Sequence, residues 1–477
     1  NGFAQTKDMP YGTYTVHQVS GWEGRELMDD FDVFIAKDAQ TYRYLINNRN
    51  FESYIQVVKV DAETGKTIPY AGAGFQIYDP SGNLITMEFT YPTPTTVDTF
   101  YTDANGSLVT PEKLPYGQGY SIVEVQSPYG YILDSTPVYF DVAEENSSEE
   151  SGVTVIKVEK TNMPQKGTIS IEKTGEVFFG VSVSGGTDEN GQELPVIYQP
   201  IYETQGLPDT VYEIRAAEDV VTPDGTLRYS KGELVDTVTT DEMGFAESKE
   251  LYLGKYEVKE VKAGYGMVLS DEVHTVELIY AGQNVAVTET ATSFVNERQK
   301  VEVSLEKALE TSELFGVGNN DEIKNISFGL FADEELVSAS GTSIPKDGLI
   351  EIITLDENGK ATVKTDLPLG SYYVKELATD EHYQLSSEKY PVVFEYAGQE
   401  TATVAIAVNN GEPMENKLIY GSVSGKKVDE NGEGLGGALI GLFKSDDVEF
   451  TEENALMIAV SGDDGSFSFE NVPYGNW

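Results

Sequence analysis

A turn followed by a glycine-centred hairpin entry occurs five times along this 477-residue chain. Such internal repetition is the signature of a repeat architecture, in which each copy belongs to one structural unit. The first copy opens the chain and the last closes it, so we expect a fragment of a longer tandem array whose secretion and anchoring signals lie outside it. The copies are NGFAQTKDMPYGTY, DANGSLVTPEKLPYGQGY, DEMGFAESKELYLGKY, ENGKATVKTDLPLGSY and DDGSFSFENVPYGNW.

The segments between these copies have the pattern of short β-strands. Stretches such as YIQVVKV, PVYFDV and HTVELIY alternate apolar and polar residues and are rich in β-branched and aromatic side chains. No stretch keeps a helical period over four turns. Several strands separated by turns over about 115 to 135 residues predict a β-sandwich. We therefore predict an all-β protein made of tandem sandwiches arranged as an elongated rod.

The chain is too long for one hydrophobic core, and its repeats divide it into five predicted units. These are the C-terminal half of a domain at 1–49 (repeat 1), complete domains at 50–164 (repeat 2), 165–298 (repeat 3, which has an insertion) and 299–418 (repeat 4), and the N-terminal part of a truncated domain at 419–477 (repeat 5).

Composition argues against several functions. The chain has 32 Lys+Arg and 80 Asp+Glu, a formal net charge of −48, and a surface this acidic repels nucleic acid and anionic lipid. With no cysteine and three histidines, it lacks the material for a thiolate metal site, a catalytic thiol or a Ser-His-Asp triad. Its apolar runs are far shorter than the roughly 18 residues of a membrane span. We expect no nucleic-acid partner, no membrane insertion within this fragment, no metal and no cofactor.

One lysine stands inside an apolar strand pattern near the start of each of repeats 2 to 5. An asparagine lies eleven residues upstream of every one of these lysines. The constant gap indicates that the last strand of one domain ends at the Asn and that a short linker leads into the first strand of the next. The pairs are Asn48–Lys59, Asn162–Lys173, Asn296–Lys307 and Asn416–Lys427.

A glutamate follows the hairpin entry of each complete repeat, four residues after a tyrosine, in YSIVE, YEVKE and YYVKE. Each complete repeat therefore contains a Lys, a Glu and an Asn in that order, a set that we call a trio. The trios are Lys59/Glu124/Asn162, Lys173/Glu260/Asn296 and Lys307/Glu376/Asn416.

A buried trio has a specific chemistry. Burial disfavours charge, so an amine and a carboxylic acid buried side by side are both driven towards their neutral forms. A neutral amine facing the Asn carboxamide can attack its carbonyl carbon while the protonated Glu polarises the oxygen and shuttles protons. Ammonia leaves and a Lys–Asn amide remains. We expect one intramolecular isopeptide bond per complete repeat, with the Glu as catalyst, formed once and never turned over, so the protein is not an enzyme in the usual sense.

Three motifs carry a family resemblance: KVDAETGKTIPYAGAGFQIYD at 59–79, YSIVEVQSPYGYIL at 120–133 and the closing KTN at 160–162. They resemble the collagen-adhesin B-type (CnaB-like or SpaA-like) domains of Gram-positive surface adhesins and pilins, and the resemblance extends over essentially the whole chain. The Tyr-x-x-x-Glu segment with its trailing Pro-x-Gly-Tyr resembles the E-box of such pilins. The resemblance implies an immunoglobulin-like β-sandwich with a Lys–Asn or Lys–Asp bond.

The pattern is incomplete at both ends of the chain. Repeat 1 reads YTVHQ, which places Gln18 where the acid is expected, and a primary amide cannot shuttle a proton to serve Asn48. Repeat 5 contains Lys427, but the sequence stops before a matching Glu or Asn. We therefore treat Gln18, Asn48 and Lys427 as incomplete sites. Repeat 3 has a long insertion after Lys173, and repeat 4 reads DEHYQL where Gly-Tyr is expected.

Simpler interpretations apply to single residues. Taken alone, a strand lysine usually faces solvent, a Glu beside it forms a surface ion pair and an Asn at a strand end belongs to a turn, whereas the repeated order and constant gap favour the trio.

The Asp-Glu-Asn-Gly stretches at 188–191, 356–359 and 429–432 lack the further ligands of a calcium loop, so we predict hairpin turns. The segment YPTPTTVDTFYT at 91–102 is predicted as an exposed strand connection and is a candidate for ligand contact.

The expected function is mechanical. In a chain without disulfides, a covalent tie between first and last strands routes force across the domain and destabilises the unfolded state. We predict a stalk segment of a bacterial cell-surface adhesin or pilus-like protein, extracellular and wall-anchored through regions outside this fragment. Its partners would be neighbouring repeats and, through the full-length protein, a host extracellular protein or glycan.

Two other functions remain to be compared with the stalk. One or more domains could be adhesive modules, which an apolar patch on the insertion at 174–209 would favour. A conventional enzyme is disfavoured because no constellation outside the trios recurs.

Overall fold

The computed structural model describes residues 2–150, 152–187 and 191–477. The strands of repeats 1 and 2 are β1 Gly12–Val16, β2 Phe31–Ile35, β3 Glu52–Asp61, β4 Gly74–Tyr78, β5 Met87–Phe89, β6 Thr95–Val97, β7 Phe100–Tyr101, β8 Ser107–Val109, β9 Leu114–Pro115, β10 Gly117–Gln126, β11 Val138–Val142, β12 Ser148–Glu150 and β13 Val153–Asn162. Those of repeat 3 are β14 Lys166–Thr187, β15 Glu193–Gly206, β16 Val211–Ala216, β17 Val220–Val221, β18 Leu227–Tyr229, β19 Leu234–Thr239, β20 Phe245–Glu247, β21 Leu251–Tyr252, β22 Gly254–Lys262, β23 Val273–Leu278 and β24 Val287–Asn296.

The strands of repeats 4 and 5 are β25 Lys300–Leu309, β26 Ser327–Ala332, β27 Leu336–Val337, β28 Ser343–Ile344, β29 Leu349–Thr354, β30 Lys360–Thr362, β31 Gly370–Ala378, β32 Lys389–Phe394, β33 Thr403–Ala407, β34 Met414–Asn416, β35 Tyr420–Lys426, β36 Leu439–Leu442, β37 Met457–Val460 and β38 Ser466–Pro473. Short 3-10 segments lie at Glu144–Asn146, Glu322–Asn325 and Val408–Gly411. The described chain is otherwise turns and irregular connections, as the alternating pattern predicts.

Each complete repeat consists of two facing sheets. In repeat 2 one sheet has the order β12-β13-β3-β8 and the other β11-β10-β4-β7. Alternate side chains of both sheets point inward and form a core that includes Ile55, Phe75 and Ile122, all fully buried. Repeats 3 and 4 have separate cores of the same kind, around Tyr256 and around Phe328 respectively. The predicted all-β architecture of tandem sandwiches is confirmed.

The first and last strands of each complete repeat are neighbours and run parallel. Strand β3 pairs with β13, β14 with β24, and β25 with β33 and β34. A parallel pair requires a crossover connection, which here is the whole of the repeat between the two strands. The start and the end of each repeat are therefore adjacent in space although more than 100 residues of chain separate the trio lysine from the trio asparagine.

A short turn at 61–66, directly after β3, joins repeat 2 to repeat 3 through polar contacts. Glu63 accepts from Lys166 Nζ at 2.8 Å and from Tyr252 OH at 2.7 Å, and it lies 3.0 Å from Arg228 Nη1. Arg228 Nη2 also lies 3.3 Å from the buried carboxylate of Asp61. We call Asp61, Glu63, Lys166 and Arg228 the charged junction.

The insertion of repeat 3 forms a long β-hairpin, which we call the arm: the part of β14 beyond Lys173, and β15. It reaches repeat 4, where Ile197 of β15 pairs in parallel with Leu349 of β29. Phe178 and Tyr198 pack against the core of repeat 4. The arm therefore joins the sheet of one repeat to that of the next, and part of its apolar surface is covered by repeat 4.

Repeats 1 and 5 are partial sandwiches. Repeat 1 contributes the antiparallel pair β1–β2, and repeat 5 contributes the pairs β35–β38 and β36–β37. In the part of the chain that the structure describes, no helix is long and apolar enough to cross a membrane. The same residues contain no group of three or more His, Cys, Asp or Glu side chains arranged to hold a metal ion.

Candidate functional site: three buried Lys-Glu-Asn trios

The parallel pairing places the lysine and the asparagine of each trio on the same face of the sheet. Lys59 is opposite Lys160, two residues before Asn162. In repeats 3 and 4 the trio lysine is likewise opposite the residue two positions before the trio asparagine. Because side chains alternate with a period of two along a strand, each Lys and Asn point into the same core. The glutamate comes from the facing sheet, on β10, β22 or β31, and completes the trio from across the sandwich.

In repeat 2, all three trio side chains are almost completely buried. Lys59 Nζ donates to Asn162 Oδ1 and lies 2.8 Å from Glu124 Oε1. Asn162 Nδ2 donates to Glu124 Oε2 at 2.6 Å. The ring of Phe75 lies 5.5 Å from Lys59 Nζ and closes one side of the site. The amine thus contacts the carboxamide oxygen, and the carboxyl group bridges the amine and the amide nitrogen.

Repeat 3 has the same arrangement. Lys173 Nζ donates to Asn296 Oδ1 and, at 2.7 Å, to Glu260 Oε2. Asn296 Nδ2 donates to Glu260 Oε1 at 2.6 Å. Tyr212 OH donates to Glu260 Oε2 at 3.4 Å. The insertion after Lys173 therefore leaves the trio intact.

Repeat 4 brings its trio together with a looser ion pair. Lys307 Nζ donates to Asn416 Oδ1 at 2.6 Å and lies 3.6 Å from Glu376 Oε1. Asn416 Nδ2 donates to Glu376 Oε1 at 2.8 Å and to Thr379 Oγ1 at 2.9 Å. Replacement of Gly-Tyr by the DEHYQL sequence has not displaced these groups.

Burial weakens the charged form of each trio lysine. It lowers the pKa of the Lys59 amine to about 8, although the charge of Glu124 opposes this shift. Burial also lowers the pKa of Lys173 and of Lys307, against Glu260 and Glu376 respectively. A lowered pKa makes the neutral, nucleophilic amine accessible near neutral pH. Transfer of one proton from the lysine to the adjacent carboxylate then produces an uncharged pair.

An aromatic residue lies opposite each trio glutamate and was not predicted from the sequence. Phe75, Tyr212 and Phe328 pair with Glu124, Glu260 and Glu376 on the neighbouring strand, and all three are buried. Their rings exclude water from the carboxyl groups. The signal was present in GFQIYD, VYEIRA and SFGLFA, where an aromatic residue recurs at the same point of the second core strand.

In repeats 2 and 4, the loop that follows the trio glutamate also contributes to the site and was not predicted to do so. In repeat 2, Ile132 O accepts from Asn162 Nδ2 at 2.7 Å, and Asp134 N donates to Glu124 Oε2 at 3.2 Å. In repeat 4, Ser386 N donates to Glu376 Oε2 at 2.7 Å. These backbone groups orient the carboxamide and the carboxyl group. The side chains of the residues that carry them gave no sequence signal of this role.

The incomplete sites are more open to solvent. Asn48 Nδ2 donates to Gln18 Oε1 at 2.8 Å, so the structure brings these two predicted residues together, but both are only half-buried. Lys427 is exposed in repeat 5.

The remaining sequence candidates form ordinary connections. In two of the Asp-Glu-Asn-Gly stretches, the carboxylates of Asp356 and Asp429 accept backbone N–H groups of their own turns. Residues 188–190 of the third stretch lie outside the described residues. The prediction of an exposed connection over 91–102 holds only for residues 91–94, which lie between β5 and β6. The rest of the segment contains β6 and β7, and Phe100 is buried in the core of repeat 2.

Comparison with known proteins identifies the family of these repeats. A model of the SpaA family, described as a prealbumin-like fold domain, matches residues 53–157, 202–292 and 316–410, together more than half of the chain. The matched ranges lie inside repeats 2, 3 and 4, whose boundaries stay predictions. No curated protein matches the chain.

Several solved structures are similar at low identity. The Bacillus anthracis TIE protein is 19% identical with a TM-score of 0.46, over 85% of this chain and 58% of that protein, so the chain spans little more than half of its length. BcpA, the major pilin subunit of Bacillus cereus, is 16% identical with a TM-score of 0.28, over 77% of this chain and 100% of BcpA. A streptococcal ancillary pilin is 14% identical with a TM-score of 0.21, over 77% of this chain and 99% of that pilin. On the family match, the chain belongs to the SpaA family of prealbumin-like fold domains.

Proposed function

We propose that each of the three complete repeats closes an isopeptide bond between its trio lysine and its trio asparagine. The observation that carries this proposal is the burial of amine, carboxyl and carboxamide in mutual contact in three separate cores. The lysine amine transfers a proton to the Glu carboxylate and attacks Cγ of the Asn. The new Nζ–Cγ bond forms as the Cγ–Nδ2 bond breaks. Glu gives its proton to Nδ2, which leaves as ammonia, and then accepts the second proton that Nζ loses as it becomes the amide nitrogen.

The proposed role of the chain is a stalk segment of a bacterial cell-surface adhesin or pilus-like protein. Each bond would tie the strand by which the chain enters a repeat to the strand by which it leaves. Tension applied along the chain would then pass through a covalent link rather than through the sheet. Closure of a long loop would also restrict the unfolded chain, as a disulfide does.

The test is the intact mass of the purified chain, compared with the mass calculated from the sequence. We expect a deficit of three ammonia molecules, and a deficit of two in each of Lys59→Ala, Lys173→Ala and Lys307→Ala. Glu124→Gln, which keeps both reacting groups, should also reduce the deficit to two. Lys427→Ala is the matched control, because this exposed lysine faces no trio, and its deficit should stay at three. An intact mass equal to the calculated mass would overturn the proposal.

A second candidate function is adhesion through the arm. Its outer surface exposes Val183, Leu194 and Val196, which repeat 4 does not cover. Binding of the chain to a panel of host extracellular proteins and glycans would be compared with binding of a variant with serine at all three positions. Saturable binding that the variant loses supports an adhesive arm. Absence of binding by the parent chain, or binding that the variant retains, contradicts it.

A further inference from the structure

The stretch Tyr-Ala-Gly-Gln occurs twice in the chain, at 280–283 in repeat 3 and at 396–399 in repeat 4. Each copy follows a strand, β23 or β32, and lies against the repeat that precedes its own. We call residues 280–285 and 396–401 the docking loops. The surface that each one meets is the loop after the trio glutamate of the preceding repeat, at 127–134 or 263–270, which we call the receptor loop.

The first docking loop binds its receptor loop through one glutamine and one tyrosine. Gln283 Oε1 accepts from Ser127 N at 2.9 Å, and the backbone oxygen of Gln283 accepts from Leu133 N at 2.9 Å. The rings of Tyr280 and Tyr129 lie 4.7 Å apart between centroids. One residue of repeat 3 thus binds both ends of the receptor loop in repeat 2.

The second docking loop repeats these contacts atom for atom. Gln399 Oε1 accepts from Ala263 N at 2.9 Å, and its backbone oxygen accepts from Leu269 N at 2.9 Å. The rings of Tyr396 and Tyr265 lie 5.0 Å apart. The other contacts between repeats 2 and 3 differ from those between repeats 3 and 4. The docking-loop contacts are the same in both places, which indicates a shared role for the docking loop.

The receptor loop of repeat 2 has the trio on its other side. Leu133, whose N–H donates to the docking loop, stands between Ile132, whose oxygen accepts from Asn162 Nδ2, and Asp134, whose N–H donates to Glu124. Successive backbone groups therefore point alternately to the neighbouring repeat and to the trio. A displacement of Leu133 would move the groups that orient both the carboxamide and the carboxyl group.

A linker residue holds the docking loop in place. Gln165, three residues after Asn162, donates to the backbone oxygens of Gly282 at 3.0 Å and Val285 at 2.5 Å, and its Oε1 accepts from Ala281 N at 2.9 Å. Gln299, three residues after the next trio asparagine, makes the same three contacts with the second docking loop. The linker thus positions the loop of the following repeat against the trio that the linker has just left.

We propose that Gln283 and Gln399 are positioning residues for the Lys–Asn bond of the preceding repeat, so that this bond closes rapidly only after the following repeat has folded and docked. This inference rests on the proposed isopeptide function. The docked loop fixes the orientation of groups that must meet, and orientation accounts for a large part of the rate of an intramolecular reaction. Bond closure would then report that two adjacent repeats have folded, rather than one.

The three trios differ in how strongly they should depend on docking. The receptor loop of repeat 3 contacts its trio less directly, since Val268 N donates to the backbone of Glu297, next to Asn296. Repeat 4 has no Tyr-Ala-Gly-Gln stretch after it in this chain, and Thr379 Oγ1 accepts from the Asn416 carboxamide directly. Repeat 4 therefore serves as an internal reference that should not respond to either glutamine.

The experiment measures the three bonds separately during synthesis. The whole chain is produced in a cell-free system, samples are quenched in denaturant at intervals, and the crosslinked peptides are quantified after digestion. We expect Gln283→Ala to slow closure of the Lys59–Asn162 bond at least tenfold. Gln399→Ala should slow the Lys173–Asn296 bond by a smaller factor. Gln283→Glu, which keeps an accepting oxygen at Ser127 N, should restore most of the rate.

The location of the slowed bond separates positioning from a general folding defect. Gln283 belongs to repeat 3, so a variant that merely damaged its own domain would slow the Lys173–Asn296 bond, whereas positioning predicts a slow bond in repeat 2. The inference is overturned if Gln283→Ala slows only the bond of repeat 3, or if its Lys59–Asn162 bond closes at the rate of the parent chain. In either case the parent chain still forms three bonds, and the proposed function stands. Absence of all three bonds from the parent would instead overturn the proposed function.

Discussion

After its trio lysine, repeat 2 makes the short turn at 61–66, whereas repeat 3 extends the same part of the fold into the arm. Both segments reach the next repeat, but by different chemistry. The turn uses the charged junction, with Glu63 contacted by two cations and a tyrosine hydroxyl. The arm uses apolar packing, strand pairing and one arginine, Arg298, whose guanidinium carbon lies 3.8 Å from the ring centroid of Tyr202.

This difference indicates how the two junctions respond to their surroundings. Ionic contacts near the surface weaken as salt rises or as the acid partner is protonated, while apolar packing responds little to either. The docking loops are common to both junctions, so the turn and the arm are what distinguish them. We expect the junction between repeats 3 and 4 to keep its stability over a wider range of pH and salt than that between repeats 2 and 3.

The largest effect should come from removing the apolar contacts of the arm. Phe178→Ala combined with Tyr198→Ala should destabilise repeat 4 by about 3 kcal/mol, because two large aromatic side chains leave a partly buried interface. Hydrogen exchange measured by mass spectrometry should show lost protection in β26 and β29 and unchanged protection in β4 and β10. Val183→Ala, an exposed position on the same arm, is the control. Unaltered hydrogen exchange in repeat 4 would mean that contact with the arm does not stabilise this repeat.

A smaller effect is expected at Arg298, which is buried between the two repeats. It stacks on Tyr202 and forms ion pairs with Asp366 and, at 3.7 Å, with Glu176. Arg298→Met should lower the free energy of unfolding of repeat 4 by about 2 kcal/mol, because the substitution removes the cation that stacks on the tyrosine and pairs with the two carboxylates. Arg298→Lys keeps the charge but loses the planar stack, so urea unfolding should place it between the parent and the methionine variant. Equal stability of Lys and parent would contradict a role for stacking.

The smallest effect concerns the charged junction and depends on pH. Burial alone would raise the pKa of Glu63, but hydrogen bonds from Lys166 and Tyr252 outweigh it, and the pKa lies below its ordinary value of 4.5. A lowered folded-state pKa contributes stability above pH 4.5 that is lost as the pH falls through the lowered value. Glu63→Gln should therefore cost about 1 kcal/mol at pH 7 and progressively less in acid.

Thermal unfolding of the parent and of Glu63→Gln across this pH range measures the effect. The curves of the two proteins should converge as the pH decreases. Glu159→Gln, on a half-exposed pair with Lys157 within one strand, provides a control that should change little at any pH. A difference between parent and Glu63→Gln that stayed constant with pH would show that Glu63 acts by packing and not by charge.

Much of the fold and the composition of the site could be predicted from the sequence. The period of two in the apolar pattern specifies strands, and strands β13, β24 and β34 end at the asparagines that define the constant gap. The order Lys, Glu, Asn named the side chains that meet in three cores. The aromatic partners Phe75, Tyr212 and Phe328 recur in the sequence and could have been found by aligning the repeats.

The sequence by itself thus determined the strands, their repetition and the members of each trio, because these depend on alternation and spacing along one segment of chain. Only the tertiary structure decided that the insertion of repeat 3 is an arm on repeat 4, and that Gln283 and Gln399 bind the loops behind the preceding trios. Those contacts join residues more than 100 positions apart through backbone groups and surface shape. Backbone N–H and C=O groups are the same in every residue, so a sequence pattern does not indicate which of them will meet.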